Sequence, residues 1–206
     1  MPELPEVETV RRVLDRVLVG QPLIVAEVRE DSIVFPQASF DAELQALVNA
    51  RVERTGRKGK LFWMEFAERT LYGHLGMSGW IRANAAGEKR LISHGSAPLD
   101  DESGEPRFLK MKLATEQGSV AFTDGRRLAR YWIGGPPSRE PAVLKLGPDV
   151  FSDPPNTDEL LRWFAKKKAP VKAALLDQTR FAGVGNWVAD EVLFHARIAP
   201  NRLGND

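Results

Sequence analysis

The sequence changes character at one segment, Gly134-Gly135-Pro136-Pro137, and this change constrains the fold more than any other feature. Before it, short apolar or aromatic runs are bounded by turn residues, as in antiparallel strands. After it, apolar residues recur at helical spacing and no strand pattern occurs. Because paired glycines and prolines punctuate structure, the sequence predicts a β-rich part and a helical part joined by a hinge.

The first part begins with an amphipathic helix between Pro5 and Gly20, whose apolar positions are Val7, Val10, Val13, Leu14, Val17 and Leu18. A short helix is predicted over 41–48. Strands are predicted over 23–28, 33–35, 61–66, 70–75, 80–82, 109–113, 119–123 and 128–133. The predicted fold class is α+β, with an N-terminal antiparallel β-sandwich and a leading α-helix, followed by a helical domain.

The second part is predicted to contain helices over 157–168, 171–177 and 187–196. The polar segment 83–106, rich in Gly, Ser and Asp, is typical of a mobile insertion. These patterns predict a first domain over 1–133, a linker over 134–147 and a second, incomplete domain over 148–206.

Composition excludes several classes of protein. The chain has no cysteine, and its three histidines are scattered, so we expect no disulfide, no metal and no cofactor. No apolar run reaches the roughly 18 residues of a membrane span, and the N-terminus does not resemble a signal peptide. We expect a monomer that makes no membrane contact and stays in the cytoplasm, at the nucleoid in a bacterium or in the nucleus of a eukaryote.

The N-terminal residues Pro2 and Glu3 suggest covalent catalysis. Removal of Met1 would free a secondary amine, and an α-amino group is partly unprotonated near neutral pH because its usual pKa is about 7.7 to 8.0. Such an amine can attack an aldehyde carbon to give an iminium, while Glu3 moves protons. The alternative interpretation is structural, since prolines such as Pro5 commonly start helices.

Positive charge is clustered although the net charge is only +1. Clusters of this kind indicate a nucleic-acid footprint, or else faces that are simply solvated. The three clusters comprise Arg51, Arg54, Arg57, Lys58 and Lys60; Arg126, Arg127 and Arg130; and Arg162, Lys166, Lys167, Lys168, Lys172 and Arg180.

Two turns add candidate DNA contacts. The turn 181–187 contains Gly183 and Gly185, which would let backbone amides and Asn186 approach a phosphate, although glycine also ends helices for conformational reasons. Met77 and Leu128 lie in turns at strand ends and would form apolar tips that insert between stacked bases, with an arginine filling the gap. Both residues could instead belong to the core.

Taken in order and spacing, these motifs resemble the formamidopyrimidine-DNA glycosylase (Fpg/Nei) family over nearly the whole chain. The matching segments are 2–8, 57–60, His74-Leu75-Gly76-Met77-Ser78-Gly79, Asp124 with Arg126-Arg127, Lys166-Lys167-Lys168 and Gly183-Val184-Gly185-Asn186-Trp187. The segment 175–200 is most similar to the plant and fungal branch that lacks a zinc finger.

The resemblance implies a helix-two-turns-helix second domain and a bifunctional base-excision enzyme that acts on duplex DNA with damaged bases or abasic sites. It would flip out an oxidised purine, cleave the glycosidic bond and nick the strand by β,δ-elimination. By the same resemblance Pro2 is the nucleophile, Glu3 transfers protons and Lys60 assists elimination. His74, Lys168 and Asn186 would contact DNA, and Met77, Arg126 and Leu128 would fill the space of the extruded nucleotide.

The sequence departs from the family pattern at two places. Leu128 stands where the family usually has phenylalanine, and the sequence ends at Asp206, before the remaining helices and the terminal β-hairpin of the family pattern. Loss of about two phosphate contacts would lower DNA affinity and its salt dependence. Two alternatives follow: a noncatalytic or weakly active damaged-DNA-binding remnant, or a structural RNA-binding protein, for which the interleaved aromatic residues are missing.

Overall fold

A computed structural model describes residues 2–85, 100 and 104–205. In this part of the chain a long helix is followed by eight strands, with one short helix between the first two, and then by four helices. The helices are α1 (Leu4–Leu18), α2 (Phe40–Gln45), α3 (Pro141–Leu144), α4 (Thr157–Phe164), α5 (Val171–Leu175) and α6 (Asn186–Ala196). The strands are β1 (Val25–Val28), β2 (Arg54–Lys58), β3 (Leu61–Glu65), β4 (Thr70–His74), β5 (Trp80–Ala85), β6 (Leu109–Thr115), β7 (Gly118–Thr123) and β8 (Arg130–Gly134).

The strands form two four-stranded antiparallel sheets, ordered β1-β6-β7-β5 and β2-β3-β4-β8. The main core lies between these sheets and α1. It includes Phe62 and Leu71 from one sheet and Leu113 and Phe122 from the other. The α+β fold with a leading helix is therefore confirmed.

The leading helix α1 buries the apolar face that its sequence predicts, from Val7 to Leu18. At its start, Glu3 and Glu6 form a reciprocal capping box, which satisfies amide groups that have no partner inside the helix. Gly20 follows the helix with a φ of +82°, a conformation that glycine adopts at little cost. The chain can therefore leave α1 sharply and begin the first sheet.

Several predicted elements differ from the structure. Residues 33–35 do not form the predicted strand, because residues 32–34 form a turn in which the Asp31 carboxylate accepts hydrogen bonds from the amides of Ile33 and Val34. Strand β2 was not predicted, since its residues are polar. The third predicted helix ends at Phe164 instead of at 168, because the amides of Lys166 and Lys167 donate to carbonyls three residues back and tighten the last turn.

The predicted linker and insertion also differ in part. Within 134–147 the chain forms one turn of 3-10 helix, Pro137–Arg139, and then α3. The start of the predicted insertion is strand, because β5 continues to Ala85, and residues 86–99 and 101–103 lie outside the described residues. The domain boundaries stay a prediction.

Candidate active site and nucleic-acid interface

The side chain of Glu3 joins the β-rich part to the helical part. Glu3 is 1% exposed, and its two carboxylate oxygens accept hydrogen bonds from the amides of Trp187, at 2.9 Å, and Val188, at 3.0 Å. These amides belong to the first turn of α6, where a helix favours negative charge. The anion bound by this helix start is thus a side chain of the protein itself.

The glycines of the turn 181–187 are explained by this contact. A Cβ atom at Gly185 would overlap the Glu3 carboxyl group, and a Cβ atom at Gly183 would overlap the Leu4 side chain. Gly183 also has a φ of +106°. The prediction that the backbone amides of the turn 181–187 approach a phosphate is therefore wrong for the amide of Trp187, which donates to Glu3. Asn186, the first residue of α6, is exposed beside them.

Pro2 lies directly before Glu3 and is buried. In the sequence as it stands, its nitrogen is an amide bonded to Met1, so only removal of Met1 would give the amine. Because Glu3 is fixed on α6, Pro2 is held at the junction of the two parts of the molecule. Its position is set by contacts between the parts, not by α1 alone.

Lys60 and His74 lie near this junction. Partial burial lowers the pKa of Lys60, and the negative charge of Glu3 opposes that effect. Burial, together with the nearby charges of Lys60 and Arg130, lowers the pKa of His74. His74 Nδ1 accepts a hydrogen bond from the Gly76 amide at 3.0 Å. His74 is therefore neutral at neutral pH, with Nε2–H as a hydrogen-bond donor.

A buried ion network also joins the two parts. The sequence did not predict the role of its two acidic members, Glu8 and Asp149. Arg57 Nη1 lies 2.6 Å from Asp149 Oδ2, and Arg57 Nε lies 3.1 Å from Glu8 Oε2. The side chains of Arg57 and Asp149 are 3% and 4% exposed. The only local signal for Asp149 is its place after a Gly-Pro pair, typical of a carboxylate that caps a turn.

The network keeps both carboxylates ionised. Burial alone would raise the pKa of Asp149, but hydrogen bonds from Arg57 and from the amides of Gly59 and Ser152 lower it to about 2. The pKa of Glu8 is likewise about 2, since hydrogen bonds from Arg11, Arg12 and Arg57 outweigh the effect of burial. Arg57 therefore serves as a structural cation and is not available to a nucleic acid.

Met77, Arg126 and Leu128 lie on two turns that are tied together, and we call these three residues the wedge surface. The buried Asp124 carboxylate accepts hydrogen bonds from Ser78 Oγ, beside Met77, and from the amides of Arg126 and Leu128. Burial would raise the pKa of Asp124, but these bonds outweigh it and lower the pKa. One ionised carboxylate therefore sets the positions of both turns.

The members of the wedge surface differ in exposure. Met77 is 48% exposed, as its sequence position predicts, and Arg126 is also exposed. Leu128 is half-buried, so it is less exposed than the predicted apolar tip. The next arginine, Arg127, is fixed by both oxygens of Asp31.

Lys168 is exposed in the loop after α4, next to the exposed Lys166. Lys167 instead folds back, with its Nζ 4.4 Å from the centre of the Trp163 ring. Among the described residues, no group of three or more His, Asp and Glu side chains is arranged to hold a metal ion. Within the same ranges, no helix has the length and apolar character needed to cross a membrane.

Family models match both parts of the chain. The formamidopyrimidine-DNA glycosylase N-terminal domain matches residues 1–131, and the H2TH domain of the same proteins matches residues 146–206. Among curated relatives, the formamidopyrimidine-DNA glycosylase of Paracoccus denitrificans is 38% identical over 98% of this chain and 70% of its own length. The Arabidopsis thaliana protein of the same name is 33% identical over 97% of this chain, which spans about half of that relative (51%).

Solved structures agree with these matches. A complex between the Lactococcus lactis Fpg and abasic-site DNA has a TM-score of 0.80 and 27% identity, and covers 100% of this chain and 70% of that one. A complex of a mutant of that protein with Fapy-dG DNA has the same TM-score and 28% identity, and covers 99% of this chain and 70% of that one.

The two matched domains and the junction between them define the class of two-domain DNA glycosylases. More particularly, the chain belongs to the formamidopyrimidine-DNA glycosylase family, whose members are DNA repair enzymes of base excision. The expected place in the plant and fungal branch stays a prediction, because bacterial relatives match at least as well.

Proposed function

We propose that this protein excises oxidised purines from duplex DNA and then nicks the strand at the resulting abasic site. Family membership supports a glycosylase that acts on damaged bases. One observation supports the covalent mechanism above all: the contact of Glu3 with the first turn of α6. This contact holds Pro2 and Asn186 at one junction, with Lys60 and His74 close to it.

In the proposed reaction, the Pro2 nitrogen bonds to C1′ of the deoxyribose, and the bond from C1′ to the base breaks. The base leaves with its electron pair and takes a proton. The sugar ring then opens as its oxygen is protonated, and the nitrogen lone pair forms a C=N⁺ iminium. The iminium is the electron sink for the later eliminations.

Strand cleavage then proceeds by two proton abstractions. Loss of a C2′ proton expels the 3′ phosphate, and loss of a C4′ proton expels the 5′ phosphate. Water finally hydrolyses the iminium and frees the amine. We assign proton transfer to Glu3, and we assign to Lys60 assistance in elimination and a phosphate contact.

DNA binding is assigned to groups on both parts of the molecule. His74 can donate from Nε2 to a phosphate, because its other ring nitrogen is occupied by the Gly76 amide. Asn186 and Lys168 are exposed on the helical part and would contact the sugar-phosphate backbone of the DNA. Met77, Arg126 and Leu128 would replace the extruded nucleotide, since unstacking a base costs a few kcal/mol.

A second candidate function is binding of damaged DNA without turnover. The observation that favours it is the burial of Pro2, whose nitrogen becomes a nucleophile only when Met1 is removed. In that case the wedge surface and the basic side chains would still bind DNA, but no covalent species would form.

Borohydride trapping separates the two functions. The protein, with its N-terminus determined by mass spectrometry, is incubated with an abasic-site duplex and borohydride, which reduces an iminium to a stable amine. We expect a covalent protein-DNA species that is lost in Pro2→Gln. Pro5→Ala is the matched control, because Pro5 is exposed in the first turn of α1 and should trap normally.

DNA binding without trapping by the protein lacking Met1 would contradict the covalent mechanism and support the second function. Where trapping occurs, products with phosphate at both ends of the gap indicate β,δ-elimination, and an unsaturated aldehyde at the 3′ end indicates β-elimination alone. We further infer that the protein acts as a monomer in the compartment that holds the DNA.

A further inference from the structure

Phe108 lies in an unusual position at the start of an inner strand of the first sheet. It directly precedes β6, its side chain is 46% exposed, and its φ of +61° is in the left-handed region. Bulky residues rarely adopt this backbone conformation, which favours glycine or asparagine. An exposed aromatic residue in a strained position is an outlier from which a functional hypothesis can be drawn.

The Phe108 ring is placed against the turn that carries the wedge surface. A Cβ atom at Gly125 would lie 3.0 Å from the Phe108 ring, so the ring rests on the backbone immediately before Arg126. The Phe108 carbonyl oxygen accepts a hydrogen bond from the Asp124 amide at 3.0 Å. Asp124 is also the residue whose carboxylate fixes both wedge turns, so Phe108 is rigidly linked to them.

An arginine lies against the ring. The Arg107 guanidinium lies 5.2 Å from the ring centre, within the range of a cation-π contact. Arg126 is exposed two residues after Asp124. An exposed ring with an arginine against it is suited to a nucleobase flanked by phosphates, because every base has a face that stacks on an aromatic ring.

We propose that Phe108 stacks on a nucleobase of the duplex next to the extruded nucleotide and so adds an aromatic contact to the wedge surface. The inference rests on the proposed function, because it assumes that damaged duplex DNA binds at Met77 and Arg126. The ring has a role that Leu128 cannot fill, since Leu128 has no ring and is half-buried. Phe108 is a binding residue and does not touch the reacting atoms.

The test compares Phe108→Leu, which keeps apolar volume without a ring, with Phe108→Tyr, which keeps the ring. Binding is measured with a duplex that carries a stable abasic-site analogue. We expect Phe108→Leu to weaken binding about tenfold, equivalent to about 1.4 kcal/mol, and Phe108→Tyr to stay within about threefold of wild type. The salt dependence of binding should not change in either variant, because neither removes a charge.

A second readout reports stacking directly. A 2-aminopurine base beside the abasic analogue should be quenched on binding wild type and Phe108→Tyr, and less quenched by Phe108→Leu. Phe108→Asn, which suits the left-handed backbone, serves if the leucine variant does not fold. Phe194→Leu is the matched control, since Phe194 is an aromatic residue on α6 that is 78% exposed; it should bind as wild type.

Equal affinities and equal quenching for wild type and Phe108→Leu would overturn the inference, as would equal losses in the leucine and tyrosine variants. Trapping by wild type, measured in parallel, keeps this outcome distinct from failure of the proposed function. If wild type traps the abasic duplex but the leucine variant binds equally well, only the role of Phe108 is wrong. If wild type neither traps nor binds, the proposed function itself fails.

Discussion

The β-rich part and the helical part of this protein are stabilised in different ways. The β-rich part has a continuous apolar core between α1 and two sheets. The described helical part has a small cluster centred on Phe181, Val184 and Ala189, and α4 buries none of its side chains fully. Large apolar residues of this part, including Leu161, Trp187 and Phe194, are exposed.

The comparison shows that the helical part is positioned by its contacts with the β-rich part. These contacts include two close polar ones, the ion pair of Arg57 with Asp149 and the hydrogen bonds of Glu3 with α6. The Glu3 contact lies at the candidate active site, and Asp149 also accepts a hydrogen bond from the amide of Gly59, the residue before Lys60. Stability of the junction and geometry of the site should therefore respond to the same substitutions, whereas changes in the sandwich core should affect stability alone.

The largest effect is expected from Asp149→Ala. This change leaves the buried Arg57 cation with Glu8 as its remaining carboxylate, and it removes the acceptor of the Gly59, Phe151 and Ser152 amides. Breaking a buried ion pair costs about 3 to 5 kcal/mol. Urea denaturation should show a loss of this size, and hydrogen exchange should become faster in α6 than in the sandwich.

The matched control is Asp153→Ala, which removes an exposed carboxylate four residues further along. It should change the unfolding free energy by less than about 0.5 kcal/mol. A loss below about 1 kcal/mol for Asp149→Ala would mean that the helical part is held by other contacts.

A smaller effect on stability, but a large one on chemistry, is expected from Gly185→Ala. Its methyl group would overlap the Glu3 carboxyl group and displace it from α6. Misplacing a catalytic group by about 1 Å can cost roughly 100-fold in rate. Single-turnover trapping should slow by this order while the protein stays folded.

Gly135→Ala controls for the added methyl group, because a Cβ atom at Gly135 meets no atom within 4 Å. Its trapping rate should equal that of wild type. A Gly185→Ala protein that traps at the wild-type rate would show that the Glu3 contact with α6 does not position Pro2.

Much of the β-rich part could be predicted from the sequence, and the reason is its periodicity. The buried face of α1 follows directly from valines and leucines at helical spacing. Strand β2 has no such pattern, because Arg57 is buried by an ion pair that forms with a residue 92 positions away. Local periodicity reports apolar burial, and it cannot report burial that depends on a distant partner.

The candidate site shows the same limit. The motifs gave candidate site residues, including Pro2, Lys60 and Asn186, and both the choice of these residues and their roles stay predictions. They did not predict that the α6 amides bind Glu3, because a glycine turn before a helix looks the same whether its anion is a phosphate or a carboxylate. Only the three-dimensional positions of the β-rich and helical parts show whether the anion at this turn is a phosphate or a carboxylate.

The smallest expected effect concerns the pKa of the Pro2 amine at the junction of the two parts. While Lys60 is protonated, its positive charge disfavours protonation of a neighbouring amine and so lowers the pKa of that amine. The trapping rate should rise with pH as the Pro2 amine loses its proton. In Lys60→Met the pKa of Pro2 should increase, and this rising limb should move to higher pH by roughly one unit or less.

The control is Lys112→Met, which removes a lysine on β6 of the other sheet and should leave the limb in place. A limb that does not move in Lys60→Met would mean that Lys60 acts on phosphate or on elimination without tuning the nucleophile.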